Sequence, residues 1–266
     1  MNAPTRPVLR WHGGKWRLAP WIISHFPAHR VYVEPFGGAA SVLIRKPRSY
    51  AEIYNDLDDE VVNLFRVLRS DDATKLIDHL RLTPFASEEF FASYEDTACR
   101  VERARRTVVK AFQGFGSNAV QRRSGFRSNS NRSGTTPARD WVNYPDALAA
   151  VVERLRGVVI LNRDAKEVMA AHDAPETLHY VDPPYMAATR DKGSDYRHEM
   201  TDDCHADLLS FLRTLRGHVV ISGYPDDRYD AALAGWRRVE REALADGARK
   251  RTEVLWMNFE TRGLFQ

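Results

Sequence analysis

The sequence predicts an α/β domain with a doubly wound sheet, interrupted by a helical and basic insertion. Short apolar runs that end in polar residues alternate with amphipathic helical patterns, which is typical of such a sheet. The alternation stops at residue 69 and returns after residue 145. At 266 residues the chain can bury a substantial core, either as one large domain or as one domain with an insertion.

The first β-α-β unit lies before residue 57. Tyr32-Val33 predicts a short strand that ends at Glu34-Pro35, and residues 50–54 predict the next strand, which ends at Asn55-Asp56. A turn rich in Gly and Ala and a helical pattern around residues 39–45 lie between these strands. A further helix is expected after Asp56, because apolar residues recur at helical spacing behind an acidic start, namely at Val61, Leu64, Phe65 and Leu68.

The insertion and the second half of the sheet follow. Helical patterns at residues 73–82 and 87–113 lead into residues 114–137, which are rich in Gly, Ser, Asn and Arg and nearly lack aliphatic side chains. After the insertion, strands are predicted at 158–161, 178–181, 219–222 and 253–259, with helices at 202–216 and 228–235. We therefore expect a sheet domain of residues 1–68 and 146–266, with an inserted domain at 69–145.

Charge is distributed unevenly along the chain. The net charge is +3, but the segment from Arg100 to Arg139 holds ten basic residues and one acidic residue, Glu102. That segment therefore carries +9 and the remainder of the chain −6. An acidic body with one basic segment favours a polyanionic partner that is met by one part of the molecule. The alternative is a charged helix that only faces solvent, but such a helix usually carries both positive and negative residues.

Several classes of protein are excluded by composition. No apolar run approaches the length of a membrane span, and the N-terminus lacks the apolar core of a signal peptide. Cys99 and Cys204 lie far apart, without the spacing of a zinc site. We expect reduced thiols in a cytosolic protein, with neither a disulfide framework nor zinc.

The segment Asp182-Pro183-Pro184-Tyr185 is the first candidate site. It follows the predicted strand 178–181, so an acid, two prolines and an aromatic ring lie at the carboxyl end of a strand. Neither proline carries an N–H, which leaves the local carbonyls available as acceptors. An amino group on a planar heterocycle needs two acceptors for its hydrogens and a ring face for stacking. The alternative is a strand that ends in a proline turn.

A second candidate site begins at the turn from Glu34 through Pro35, Phe36, Gly37 and Gly38 to Ala39 and Ala40. Adjacent glycines let the backbone approach a ligand, while the absence of G-x-G-x-x-G argues against a dinucleotide site built around a pyrophosphate. Asp56 lies roughly twenty residues further on, at the end of the next strand, where an acid can bind ribose hydroxyls. A helix cap is the alternative for Asp56. Together these residues indicate a nucleoside site that need not hold phosphate.

Near the N-terminus, Trp11-His12-Gly13-Gly14-Lys15 precedes the first predicted helix. Paired glycines beside a lysine can anchor a carboxylate or a phosphate, and the indole can supply an apolar wall. An ordinary exposed turn is the alternative.

These motifs resemble those of the Dam-like DNA adenine-N6 methyltransferases, in which a cofactor motif, a target-recognition domain and D-P-P-Y follow in that order. The matching pieces are W-H-G-G-K, V-E-P-F-G-G-A, N-D, D-P-P-Y and the terminal strand at Leu255-Trp256-Met257-Asn258, and they span nearly the whole chain. Ala40 departs from the pattern, because many relatives have a second glycine there. The resemblance implies a Rossmann-like S-adenosylmethionine-dependent methyltransferase sheet with a helical, basic target-recognition insertion.

The resemblance also implies roles for individual residues. The cofactor is expected to be S-adenosyl-L-methionine, released as S-adenosyl-L-homocysteine, without a metal. Cofactor-binding roles are expected for Trp11, Lys15, Glu34, Pro35, Phe36, Gly38, Asp56, Asp164 and Asp182. Catalytic roles are expected for Asp182, Pro183, Pro184 and Tyr185.

The chemistry of the residues agrees with this resemblance. Strands that end at Glu34 and Val181 are expected to be neighbours at the switch point of the sheet, where ligands bind. The N6 lone pair of adenine is delocalised into the ring, so it is a poor nucleophile. Asp182 and the Pro183 carbonyl can accept both amino hydrogens, and Tyr185 can stack on the base. Because a duplex hides N6, the adenine has to flip out of the stack, and the loop at 186–200 is a candidate to close over it, with a disordered surface loop as the alternative.

DNA contacts are expected from the second half of the insertion and from that loop: Asn118, Arg122, Arg123, Arg127, Arg132 and Tyr196. The expected partner is double-stranded DNA, without a membrane, and the chain is expected to be a cytoplasmic monomer or homodimer in a bacterial or phage-infected cell. Rival functions are methylation of RNA or of a protein glutamine, and DNA binding without catalysis. An NAD-dependent oxidoreductase is disfavoured because its phosphate loop is missing. The recognition sequence, and a phage, orphan or restriction-system origin, are left open.

Overall fold

The computed structural model describes residues 3–129, 134–186, 197–244 and 250–260. The strands are β1 (Val31–Glu34), β2 (Ala51–Asn55), β3 (Val158–Leu161), β4 (Thr177–Val181), β5 (His218–Gly223), β6 (Arg237–Leu244) and β7 (Lys250–Met257). The helices are α1 (Ala19–Ile23), α2 (Ser41–Arg45), α3 (Asp59–Leu68), α4 (Ala73–Leu82), α5 (Ser87–Ala92), α6 (Arg100–Gln113), α7 (Pro137–Val142), α8 (Tyr144–Arg154), α9 (Ala165–Ala171), α10 (Asp202–Leu212) and α11 (Asp227–Ala232).

The chain divides into two compact units. The sheet unit consists of Arg17–Gly37, Lys46–Leu57 and Gly157–Gln266, and the helical unit consists of Met1–Trp16, Gly38–Arg45 and Asp58–Arg156. All seven strands belong to the sheet unit, together with α1, α9, α10 and α11. The helical unit holds α2 to α8, so it takes in α3 and two short segments from before residue 46. The domain boundaries at 69 and 145 stay a prediction.

Within the described residues the strands form one sheet in the order β3-β2-β1-β4-β5-β7-β6. Pairing is parallel from β3 to β5, and β7 is antiparallel to both β5 and β6. The chain passes from β1 outward to β2 and β3, and then returns to β4 on the other side of β1. The predicted doubly wound sheet is therefore confirmed, as is the prediction that β1 and β4 are neighbours at its switch point.

The central strands of the sheet are mostly apolar and buried. All five residues of β4 are buried, as parallel strands covered on both faces require. Val33, Val181 and Ile221 pack with Trp256 and with the inner faces of α9, α10 and α11 in one apolar core of the sheet unit. This core fixes the positions at which β1 and β4 end, and those ends carry the candidate site.

The helical unit is organised around α6, which packs against α3, α4 and α5. The helical pattern predicted over 87–113 is wrong as a single helix, since α5 ends at Ala92 and α6 begins at Arg100. Ser93 is buried at the end of α5, and its hydroxyl donates to the Phe90 carbonyl at 2.6 Å. A serine that bonds back to the preceding turn competes with continued helix, so the chain changes direction here.

Candidate active site

The carboxyl ends of the parallel strands carry the polar residues of the sheet unit. Glu34 ends β1, Asp56 follows β2, Asp164 lies shortly after β3, and Asp182 follows β4. Parallel neighbours in register bring these ends to one edge of the sheet. The structure thus gathers Glu34, Pro35, Phe36, Asp56, Asp164 and Asp182–Tyr185 at the edge where doubly wound folds bind ligands. Their individual roles stay predictions.

Glu34 is a buried carboxylate with a fixed orientation. Its side chain is 2% exposed, and the Tyr32 hydroxyl donates to Oε2 at 2.7 Å. Burial, and next the charge of Glu34, raise the pKa of Tyr32 well above its usual value, so the phenol keeps its proton and remains a donor. The two residues lie on the same face of β1, because they are two positions apart.

Asn55 holds together the loops that follow three strands. Its Nδ2 donates to the Pro35 carbonyl at 2.9 Å and to the Arg163 carbonyl at 3.0 Å, while Oδ1 accepts from the Arg163 N–H at 2.9 Å. The Gly37 N–H donates to the Asn55 carbonyl at 2.8 Å. A Cβ at Gly37 would lie 2.2 Å from the Tyr54 ring, so only glycine fits this close approach. Sequence reasoning quoted Asn55 within a motif but gave it no role.

Asp56 is half-buried at the end of β2, and its backbone carbonyl accepts from Asn162 Nδ2 at 2.8 Å. The alternative role of Asp56 as a helix cap is wrong. Asp58 is the N-cap of α3, where its carboxylate accepts from the Glu60 N–H. Asp164 does cap a helix, because its Oδ1 accepts from the N–H groups of Lys166 and Glu167 at the start of α9.

Asp182 is oriented by a hydroxyl from the neighbouring strand. Ser222, on β5, donates to Asp182 Oδ1 at 2.8 Å, and the Tyr180 hydroxyl lies 3.2 Å from the same Ser222 oxygen. Tyr180 and Ser222 are buried, and Asp182 is half-buried. The Asp182 carboxylate therefore lies at the edge of the sheet with its Oδ1 atom held by Ser222. Sequence reasoning missed Ser222, although it ends a predicted strand.

Tyr185 is held at its hydroxyl and at its ring. The hydroxyl donates to Glu253 Oε2 at 2.7 Å, and the Tyr224 ring meets the Tyr185 ring edge-to-face with centroids 4.7 Å apart. Burial, followed by the negative charges of Glu253 and Asp182, raises the pKa of Tyr185 well above its usual value. The phenol is therefore neutral across the working range of pH.

Trp11, Lys15 and Gly38 lie in the helical unit. Gly38 has φ +46°, and a Cβ there would lie 2.6 Å from Trp11 Nε1, so the indole rests against a backbone without a side chain. Lys15 is 5% exposed, and its Nζ donates to the Gly13 carbonyl at 2.8 Å. A buried ammonium needs hydrogen-bond acceptors, and the Gly13 carbonyl is one of them.

Ala40, the departure from the family pattern, has the backbone conformation that a glycine would favour. Its φ is +53°, and its carbonyl accepts from the Ile44 N–H at the start of α2. The left-handed conformation costs an alanine about 1–2 kcal/mol. The turn into α2 therefore keeps its left-handed geometry without the second glycine.

The basic residues of α6 are neutralised by the fold. Arg100 pairs with Asp72, Arg103 with Asp59 and Glu60, Arg105 with Glu89 and Glu102, and Arg106 with Glu102. Hydrogen bonding from Arg105 is the largest of the effects that lower the pKa of Glu102 to about 2. The interpretation of residues 100–139 as one polyanion-facing segment is therefore wrong for α6, because acids distant in sequence lie against it.

The loop at residues 114–126, which we call the basic loop, carries other predicted DNA contacts. A bridge between Gly114 and Phe126 closes it, and the Arg127 N–H donates to the Gln113 carbonyl at 2.7 Å. The Tyr94 hydroxyl donates to the Ala119 carbonyl and accepts from the Ser124 N–H. The loop holds Asn118, Arg122 and Arg123, and Arg127 follows it. Arg132, Tyr196 and most of the loop at 186–200 lie outside the residues that the structure describes.

Across the described ranges, no group of three or more His, Cys, Asp or Glu side chains is placed to hold a metal ion. No helix in the described part of the chain is long and apolar enough to cross a membrane.

Comparison with known proteins identifies relatives that share one name, DNA adenine methylase. The protein from Serratia marcescens is 33% identical over 107 residues, which are 39% of each chain. The Haemophilus influenzae protein is 25% identical over 190 residues, or 68% of this chain and 64% of that one. The Salmonella typhi protein is 24% identical over 265 residues, or 94% of both. The match spans under two thirds of the first two relatives and nearly all of the third.

A family model covers most of the chain. The model described as D12 class N6 adenine-specific DNA methyltransferase matches residues 11–243, which include each of the four strand ends described above. The chain therefore belongs to the D12 class of N6 adenine-specific DNA methyltransferases.

Proposed function

We propose that the chain transfers the methyl group of S-adenosylmethionine to N6 of an adenine that has been flipped out of double-stranded DNA. Membership of the family confirms the predicted enzyme class, an adenine-specific DNA methyltransferase. The finer proposal is carried by one observation. Asp182–Tyr185 follows β4 at the switch point of the sheet, directly beside the end of β1.

The carboxylates at the sheet edge support S-adenosylmethionine as the cofactor. Glu34, Asp56 and Asp182 lie there, and this set of acceptors suits a cationic ligand that carries hydroxyl groups. It disfavours a ligand with phosphates, which would need donors instead. We assign the ribose hydroxyls to Asp56, whose backbone Asn162 fixes at the end of β2, while Asp58 caps α3.

The remaining cofactor contacts are proposed from the motif. Pro35 and Phe36 belong to the turn that Asn55 holds, and Asp164 follows the next strand. Trp11, Lys15 and Gly38 belong to the helical unit, and their proposed role rests on W-H-G-G-K and on the glycine turn. Lys15 would meet the cofactor's carboxylate, since it is the buried ammonium of that motif.

The chain's own residues make N6 reactive. When bound, S-adenosylmethionine supplies a methyl group on a positively charged sulfur. Asp182 and the Pro183 carbonyl accept the two amino hydrogens, which draws the N6 lone pair out of the adenine ring as positive charge develops. In that arrangement the lone pair would form the N–C bond as the S–C bond breaks and its electron pair leaves on sulfur, and the proton lost from N6 would pass to solvent. Pro184 keeps the segment Asp182–Tyr185 rigid, and Tyr185 provides the surface on which the adenine stacks.

The rival substrates are separated by a panel of nucleic acids. The purified chain is incubated with methyl-labelled S-adenosylmethionine and with duplex DNA, the single strands or RNA of the same sequence. We expect the duplex to be labelled fastest, in N6-methyladenine, because the proposed contacts of the basic loop are to a duplex backbone. Preferential label in RNA would favour the RNA methyltransferase instead.

We further propose that Arg122, Arg123 and Arg127 bind DNA phosphates, with Asn118, Arg132 and Tyr196 nearby on the same substrate. Support comes from the basic loop and the residue that follows it, where these three arginines lie close together in the sequence. The Arg123 guanidinium lies 5.5 Å from the centroid of the Tyr94 ring, whose hydroxyl anchors the loop. A monomer or a homodimer fits this proposal equally.

Salt dependence measures these contacts. Each alanine substitution at Arg122, Arg123 or Arg127 is expected to flatten the plot of log affinity against log salt by about one, because one phosphate contact is lost. Arg100→Ala is the matched control, since Arg100 lies in the same basic segment, pairs with Asp72 and is not among the proposed contacts, so its slope should equal that of the parent. If all three loop variants keep the parental slope, the basic loop is not the DNA surface.

A further inference from the structure

Glu253 is a buried acid that the proposed mechanism does not use. It lies on β7, is 8% exposed, and accepts the Tyr185 hydroxyl at 2.7 Å. In the sheet, β5 separates β7 from β4, so the contact reaches from the far side of β5 to the segment that follows β4. A buried carboxylate is costly unless hydrogen bonds compensate its lost hydration, and the Tyr185 hydroxyl is one such donor.

The ring of Tyr185 is fixed by a second contact. Tyr224, just beyond β5, meets it edge-to-face at an interplanar angle of 74°. The Arg251 guanidinium in turn lies 5.9 Å from the centroid of the Tyr224 ring. With its hydroxyl bound at one end and the Tyr224 ring against it, the Tyr185 ring is held in one orientation, and it is 7% exposed.

A carboxylate acceptor also changes the ring itself. A phenol that shares its proton with an anion is richer in electrons, so its faces are more negative. Such a face interacts more favourably with positive charge, in the manner of a cation–π contact. In the proposed reaction positive charge develops at N6 of a base that stacks on this ring, so the effect is larger in the transition state than in the bound complex.

We propose that Glu253 is a positioning residue for methyl transfer, which orients the Tyr185 ring toward the flipped adenine and makes that ring more electron-rich. The inference rests on the proposed stacking role of Tyr185. It predicts that Glu253 affects the chemical step through Tyr185, and that it leaves binding of S-adenosylmethionine and of DNA nearly unchanged.

Single-turnover methyl transfer by the full chain tests this inference. Glu253→Ala and Tyr185→Phe are each expected to slow transfer about tenfold or more, the usual effect of losing a hydrogen bond to a charged group. Glu253→Gln keeps an acceptor oxygen and is expected to recover part of the rate. The dissociation constants of the variants for S-adenosylmethionine and for duplex DNA should stay within about twofold of the parental values.

The double variant Tyr185→Phe with Glu253→Ala should be no slower than the slower single variant, because both remove one shared contact. Glu240→Gln, on the adjacent strand β6 and paired with Arg238, is the matched control and should transfer at the parental rate. Parental transfer by Glu253→Ala, or multiplied effects in the double variant, would overturn the inference. Tyr185→Ala tests the stacking role of Tyr185 separately from the positioning role of Glu253. If Tyr185→Ala transfers methyl groups at the parental rate, the stacking role is wrong.

Discussion

Asp182→Ala is expected to abolish methyl transfer, with a loss of at least about a hundredfold, while S-adenosylmethionine and DNA still bind. A preorganised acceptor that acts on developing charge contributes on that scale. Its loss therefore appears in the chemical step more than in binding. Asp182→Asn should lie between the parent and Asp182→Ala, because the amide oxygen can still accept from Ser222 and from N6 but carries no charge.

Single-turnover assays with labelled cofactor measure the effect of Asp182. Ser222→Ala is an informative companion, since it frees Asp182 Oδ1 without removing the carboxylate. A modest slowing is expected there. A transfer rate near that of the parent in Asp182→Ala would remove this residue from the mechanism.

Asp56→Ala is expected to weaken S-adenosylmethionine binding by about tenfold or more. Charge-assisted hydrogen bonds contribute roughly 1.5–3 kcal/mol each, and a methyl group cannot accept from ribose hydroxyls. Because Asp58 caps α3, the folding stability of that helix should be unaffected.

Calorimetry of the cofactor alone measures the effect of Asp56. Asp207→Ala, an exposed acid on α10 in the same unit, is the control and should bind S-adenosylmethionine like the parent. If Asp56→Ala also keeps parental affinity, the ribose assignment is wrong.

The centre of the fold was predictable because its signals are local. The apolar runs at 158–161 and 178–181 lie on β3 and β4, and β4 is buried along its whole length, as expected for a parallel strand covered on both faces. The polar residues at strand ends were equally visible, and Glu34 and Asp182 are followed by turns of unusual composition. Parallel topology then required these ends to share one edge.

Strand β6 was not predicted, and its sequence explains why. R-R-V-E-R-E-A-L is dominated by charged residues and contains no apolar run. It is the outermost strand beside β7, where charged side chains can reach solvent. Its strand conformation comes from pairing with β7 rather than from burial.

The supporting contacts of the candidate site could not be predicted for a different reason. Glu253 lies 68 positions from Tyr185, and Ser222 lies 40 positions from Asp182, so only the fold shows that they touch. The ion pairs of the α6 arginines could not be predicted for the same reason. Their local charge suggested a DNA surface, yet partners such as Glu60, 43 positions from Arg103, neutralise them.

Site-specific methylation of adenine N6 can be measured in the DNA of a host that lacks this modification. The chain and its Asp182→Ala variant are expressed to equal levels, and the host DNA is sequenced for N6-methyladenine. We expect N6-methyladenine at the copies of one short sequence with the parent, and none with the variant. Host DNA that stays unmethylated at adenine in the presence of the folded parent would contradict this expectation.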